Sequence, residues 1–184
     1  MKHIVSHSSI EEQMKTVMKR AIVSILLVVL GTACYAQMAK FQALYVYNFA
    51  KNIGWAAEDN TRDLVITVVG DNDLIGELSN LAKTKKIGVR SVVVKEAATV
   101  NALPQSDIIC LGEAKSGQIG TLVANQKDNK TLIVSGKKGQ CANGASISFY
   151  TEGSKLAFEI SEKNIKARGL SVLKKLLDLG TQVD

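Results

Sequence analysis

Histidine is nearly missing from this chain of 184 residues: there are two, His3 and His7. Both precede an apolar run that begins at Ala21, and none occurs after Ala36. Ser-His-Asp and Cys-His mechanisms need an imidazole base, and ordinary zinc sites lean on imidazole ligands. Neither chemistry is open to residues 37–184. Cysteine is also scarce, at Cys34, Cys110 and Cys141, and Pro104 is the sole proline. No internal repeat, low-complexity tract or linker interrupts the chain. The longest apolar run, Ala21–Gly31, covers 11 residues, whereas a bilayer-spanning helix needs about 20. After Ala36 come 19 basic and 15 acidic residues, a net charge of +4. The basic residues are scattered apart from Lys83-Thr84-Lys85-Lys86, so nothing resembles a nucleic-acid stripe and no nucleic-acid partner is expected.

What is present starts with an export signature. Lys15, Lys19 and Arg20 precede the apolar run. Small residues follow it, with Cys34 and Ala36 at positions −3 and −1 of a cut before Gln37. This is the layout of a cleaved signal peptide over 1–36, or 14–36 if the start is internal at Met14. An uncleaved anchor or a buried helix is the bland alternative. Gly31-Thr32-Ala33-Cys34 is also a poor version of a lipoprotein box, which would anchor the protein by a lipid on Cys34. The remaining 37–184 is one domain by size and large enough to build a core without metal or disulfide. Export leads to an oxidising compartment, where the even count permits a disulfide between Cys110 and Cys141. Its loop would add roughly 3–4 kcal/mol. Against it, Cys110 falls in an apolar strand, where a small buried thiol is the simpler reading.

Periodicity predicts a helix over 39–55, with Phe41, Leu44, Tyr45, Phe49 and Ile53 on one face and Trp55 closing it. A polar loop follows over 56–63. Leu64–Val69 reads as a buried β-branched strand, and Asp71-Asn72-Asp73 as caps for a helix over 74–82. Strands are expected at 89–94, 107–111 and 131–134, with a short helix or turn at 97–103 and a helix at 116–124. A Gly-rich polar stretch covers 135–144. Residues 145–150 and 155–160 alternate about Glu152-Gly153-Ser154 and predict an antiparallel hairpin. Ser161 caps a short helix that ends at Gly169, a left-handed stop, and Ser171 opens a last helix. The fold class is therefore α/β, a single domain. It has a mostly parallel sheet of about four strands plus a C-terminal antiparallel hairpin, with helices on both faces.

The stretch Gln42–Trp55, Gln-Ala-Leu-Tyr-Val-Tyr-Asn-Phe-Ala-Lys-Asn-Ile-Gly-Trp, resembles the opening motif of the YfiR-like periplasmic family. So does Ile66-Thr-Val-Val-Gly-Asp71. Phe158-Glu-Ile-Ser161, followed by Ala167-Arg-Gly-Leu-Ser171 and Lys175-Leu-Leu177, resembles its C-terminal signature. The matched positions include Tyr47, Asn48, Phe49, Trp55, Gly70, Asp71, Phe158, Glu159, Gly169 and Leu170. The resemblance implies a non-enzymatic periplasmic regulator without cofactor, whose best-understood type restrains a membrane diguanylate cyclase through its periplasmic region. Cyclic-di-GMP signalling and biofilm formation would follow. A sensor kinase is another membrane signalling partner that the reading admits, and so is a homodimer. The chain departs from the family pattern at Ala56, where Pro is common, at Ser106, where Cys is common, and at Gly144-Ala145, where a Gly pair is common.

Each candidate site has a bland counterpart. Gly70-Asp71-Asn72-Asp73 lies at a strand-to-helix handover, the usual crevice of an open α/β sheet. It motivates the alternative function of a periplasmic small-molecule binding or sensor protein. It lacks Gly-x-Gly-x-x-Gly, its carboxylates repel pyrophosphate, and cap and turn is the simpler reading. An Asp-x-Asp metal contact and Asp71/Asp73 hydrolysis are remote variants. Lys137 and Lys138, with Gly139 and Cys141, form a basic loop for a partner or small anion, or merely a solvated loop. Glu159 and Arg168 are expected to form a structural ion pair. Asn48 is expected to satisfy buried backbone groups. Tyr45, Tyr47, Phe49 and Trp55 read mostly as core, with one or two available to an interface.

Overall fold

The computed structural model describes residues 7–55 and 62–183. Two compact units make it up, Met1–Met38 and Ala39–Asp184. The first is helical in its described backbone. The side chains of 21–36, which include the apolar run, Cys34 and Ala36, lie outside the described residues, as do Ala56 and most of the predicted 56–63 loop. Among the described residues, no helix is long and apolar enough to cross a membrane.

The elements run α1 (His7–Asn52), β1 (Ile53–Gly54), β2 (Leu64–Val69), α2 (Asn72–Ala82), β3 (Val92–Ala97) and β4 (Ile108–Leu111). A 3₁₀ turn at Glu113–Gln118 leads into α3 (Ile119–Asn125) and β5 (Leu132–Ser135). A second 3₁₀ turn at Gln140–Asn143 precedes β6 (Ile147–Glu152) and β7 (Lys155–Ile160). The chain ends with α4 (Glu162–Ala167), β8 (Ser171–Val172), α5 (Lys174–Leu177) and β9 (Thr181–Gln182). The seven-stranded sheet has the order β3-β2-β4-β5-β6-β7-β9. β3, β2, β4, β5 and β6 are parallel, β7 is antiparallel to β6, and β9 is parallel to β7.

Period-2 alternation on the central strands feeds two cores. Leu64, Ile66, Val68, Ile108, Cys110, Leu132 and Val134 pack with residues of α1, α2, α4 and α5. Val69, Ile109, Leu111 and Ile133 pack with Ile119 and Leu122 of α3. Helices therefore cover both faces of a mostly parallel sheet, and the α/β expectation holds. The hairpin register sets Ile147 opposite Ile160 and Phe149 opposite Phe158, as the alternation requires.

Several boundaries differ from expectation. The predicted 39–55 helix stops at Asn52, and Ile53–Gly54 pairs antiparallel with Ser171–Val172. Ser171 accordingly lies in a strand, and α5 begins at Lys174. The buried stripe of α1 is Ala39, Ala43, Val46 and Ala50, with Tyr47 and Phe49, whereas Phe41 and Leu44 are 45% and 40% exposed. Phe49 and Ile53 are buried as expected, so the expected face holds at its carboxyl end and departs at Phe41 and Leu44. β3 starts at Val92, because Ile87 and Arg90 exchange backbone hydrogen bonds at 3.0 and 3.1 Å around Gly88 (φ +60°). That turn leaves Val89 at its exposed tip. The helix predicted from Ser116 is a 3₁₀ turn until Gln118, in keeping with the low helix propensity of Gly117 and Gly120.

Candidate functional site

The carboxyl ends of β2 and β4 flank the point where the strand order reverses, the place where open α/β sheets take ligands. Here the backbone segments leaving the two strands pack tightly together. Gly112 donates its N–H to Val69 O at 2.9 Å, and a Cβ on Gly112 would lie 2.5 Å from Gly70 O. Gly70 has φ +73° and is covered by the aliphatic chain of Lys115. Asp71 Oδ1 accepts the Leu74 N–H at 3.0 Å and caps α2. Burial raises the Asp71 pKa; the Leu74 bond opposes that rise and the charge of Asp73 adds to it. Cap and turn, the simpler reading of Gly70-Asp71-Asn72-Asp73, is the role Asp71 fills here, with backbone packed against backbone at the strand ends.

The motif residues from the two ends of the domain meet in one seam. Phe49 lies 5.0 Å from Phe158 and 5.6 Å from Phe149, centroid to centroid, and Tyr45 lies 5.5 Å from Phe158. Such pairs add about 0.5–1.5 kcal/mol each beyond area burial. Tyr47 is buried, its hydroxyl donates to Lys85 O at 3.3 Å, and burial raises its pKa. Trp55 Nε1 donates to Ala50 O at 3.1 Å and folds the chain back on the end of α1. Gly54 faces Ser171, whose Oγ occupies the space a Cβ would need. Leu173 N–H donates to Asn52 O at 2.9 Å. Gly169 (φ +69°) makes the turn that delivers the buried Leu170 to this seam. Asn48 does not serve buried backbone groups as expected. Its Oδ1 and O accept from Asn52 Nδ2 at 2.9 and 2.7 Å.

A second convergence lies beyond β5. Val134 and Ser135 pair with Ile147 and Ser148, so the rest of β6 and its partner β7 project past the end of β5. The loop with Lys137 and Lys138 lies along this projection. Glu159, 8% exposed, accepts the Gly139 N–H on Oε2 at 2.7 Å. Lys138 Nζ sits 4.4 Å from the centroid of the Tyr150 ring, and the Tyr150 hydroxyl is 2.9 Å from Thr181 Oγ1. Both lysines are exposed. The result is a positioned basic surface on rigid strands.

The expected Glu159–Arg168 pair is absent, since each side chain is held elsewhere: Arg168 Nη1 donates to Gln126 O at 3.0 Å. The disulfide between Cys110 and Cys141 is not formed, and both thiols are free and buried. Cys110 points into the core from β4; burial pushes its thiol far up, with the charge of Asp71 adding. Cys141 Sγ lies 3.3 Å from Ser148 Oγ, and chiefly burial pushes it up to about 11. Sequence reasoning missed Asp107, 1% exposed, between Arg62 at 2.8 Å and Arg90 at 3.0 Å. An acid at the head of an apolar strand was the available signal.

A family model described as YfiR/HmsC-like matches residues 39–181. That span contains the seam and the basic loop together. No curated protein matches the chain at a significant level.

Proposed function

The chain belongs to the YfiR/HmsC-like family, and from that premise we propose that it restrains a membrane signalling enzyme, a diguanylate cyclase or similar, by binding its periplasmic part. Membership supports a periplasmic regulatory domain in general, rather than a catalytic one, that works with a partner protein. The observation that carries the finer reading is the extent of the match, which spans the compact unit from α1 to β9. The exposed loop with Lys137 and Lys138, fixed through Glu159, supplies a preorganised contact for an acidic partner surface. Restraint works by occupancy: the complex favours the inactive partner through differential affinity for its two states. Driving the partner from 99:1 active to 1:99 takes about 10⁴-fold preference.

Deletion of the gene tests this reading. Cyclic-di-GMP rises and biofilm formation increases in the deletion strain. Unchanged cyclic-di-GMP, with no membrane partner in a crosslinked pull-down, overturns it. Export by a signal peptide cleaved after Ala36, leaving residues 37–184, belongs to the same proposal. N-terminal sequencing of protein from the envelope fraction then begins at Gln37, whereas a blocked, lipid-modified Cys34 contradicts free release.

A further inference from the structure

Arg168 is a largely buried residue with no acid to answer its charge. The residue is 8% exposed, and its one hydrogen bond goes from Nη1 to the backbone oxygen of Gln126 at 3.0 Å. Among the described residues no carboxylate lies within ion-pair distance of it. Burial accordingly lowers its pKa, and no neighbouring charge opposes the shift. No other nitrogen of its guanidinium is among the buried unpartnered atoms of the described residues, so those donors open to solvent and can meet an anion.

The guanidinium borders a cavity of about 320 Å³ between α3 and α4. Val123, Ala124 and Ala167 supply its apolar wall, and Lys127 adds a second cation. No acidic residue lines it. Lys130 lies against Gly169, the next residue along from Arg168. The walls are held in place: Asn164 Nδ2 donates to Cys141 O and Ala145 O, both at 2.8 Å. Gly144 (φ +96°) leaves no room for a side chain, since a Cβ would come 2.9 Å from Val123. The cavity lining shares no residue with the Gly70–Asp73 turn, and Lys137 and Lys138 do not contribute to it.

We infer that this cavity is a binding site for a small carboxylic acid anion with an apolar body, its carboxylate on Arg168 and its body against Val123, Ala124 and Ala167. The planar guanidinium fork matches a carboxylate in charge and geometry. The volume is at the small end of ligand pockets, suited to a molecule of one ring. The site is independent of the proposed restraint of a cyclase and stands or falls without it.

The test uses protein expressed from the full chain, with benzoate as probe, benzamide as its neutral isostere and inorganic phosphate as a bare anion. Benzoate produces saturable NMR shifts at Val123, Ala124 and Ala167, and benzamide binds at least about tenfold more weakly, as expected for loss of a charge-assisted contact. Arg168→Gln weakens benzoate by a similar factor. Ala124→Leu, at an exposed helical position, fills the cavity, keeps Arg168 and the fold, and abolishes binding. Three results would each overturn the inference: no saturable shift with benzoate, equal binding of benzoate and benzamide, or benzoate binding unchanged in Ala124→Leu. Phosphate binding as tightly as benzoate and indifferent to Ala124→Leu would also overturn it, by reducing the site to surface charge.

Discussion

The carboxylate of Glu159 accepts the backbone N–H of Gly139 at 2.7 Å, and through that bond β7 holds the loop carrying Lys137 and Lys138. Gly139 has φ +80°, a conformation that side-chain-bearing residues adopt only at a cost. Glu159→Ala is expected to lower stability by about 1–2 kcal/mol and to remove hydrogen-exchange protection at the Gly139 amide. Glu159→Gln keeps an acceptor and most of both. Urea unfolding with amide exchange reads the difference. An unchanged Gly139 exchange rate in Glu159→Ala means that the loop is held by something else.

Asp107 and Arg90 form the buried ionic centre of the sheet's amino-terminal end. Asp107 Oδ2 also accepts the Val65 N–H at 2.8 Å. Asp107→Ala strands Arg90, which is 4% exposed, and is expected to cost about 3–5 kcal/mol in chemical denaturation. Adding Arg90→Met to that variant removes the stranded charge and recovers part of the loss, a non-additivity expected of residues in contact. Strictly additive losses would show that the two charges are not coupled.

The two core thiols are expected to be inert and unpaired. Cys141, pushed up to about 11, carries little thiolate near neutral pH, and Cys110 is held further from ionisation. In the native state neither reacts with a thiol reagent within minutes, and both are alkylated after denaturation without reductant. Below the ordinary thiol pKa of about 8.5, folded and unfolded Cys141 both hold the proton. Above it the unfolded chain ionises first, so stability falls as pH rises towards 11. A disulfide-linked peptide containing Cys110 and Cys141 contradicts this prediction.

Asp71 separates a cap from a charge. Its folded pKa is raised, so across the interval above the ordinary aspartate value the folded state holds a proton the unfolded state has lost. Stability therefore declines with rising pH through that interval and is level above it. Asp71→Asn keeps the Leu74 cap and flattens this acid-range slope. Asp71→Ala loses the cap as well and costs about 1 kcal/mol. Thermal unfolding between acidic and neutral pH distinguishes them, and an unaltered slope in Asp71→Asn assigns it to another group.

Much of the fold was legible because it is local. The β-branched run of β2, the Ser161 cap and the Gly169 stop stand where expected, and the hairpin forms as the alternation requires, with β6 at Ile147–Glu152 instead of 145–150. β9 was not legible: Thr181–Gln182 is two exposed residues, too short for a periodic signal, and only its pairing with Glu159 and Ile160 makes it a strand. The face of the predicted 39–55 helix was legible at Phe49 and Ile53 and misjudged at Phe41 and Leu44, because large apolar residues dominate a periodicity reading while the buried Ala39, Ala43 and Ala50 go unnoticed. Arg168 carried a family motif but was assigned the wrong partner, since nothing in the spacing says that Gln126 O lies nearer than Glu159.

By itself the amino-acid sequence determined the chemistry available after Ala36: no imidazole, two cysteines, an alternating α/β pattern and a family signature at both ends. Only the tertiary structure decided which of those groups meet. It packed Gly112 against Gly70, left Cys110 and Cys141 unpaired, joined Gly54 to Ser171, and left Arg168 beside a cavity instead of an acid. The physical reason is range. Propensity, capping and periodicity act over one or two turns of chain. Ion pairs, seams and cavities arise between residues brought together only when two faces of a sheet are packed.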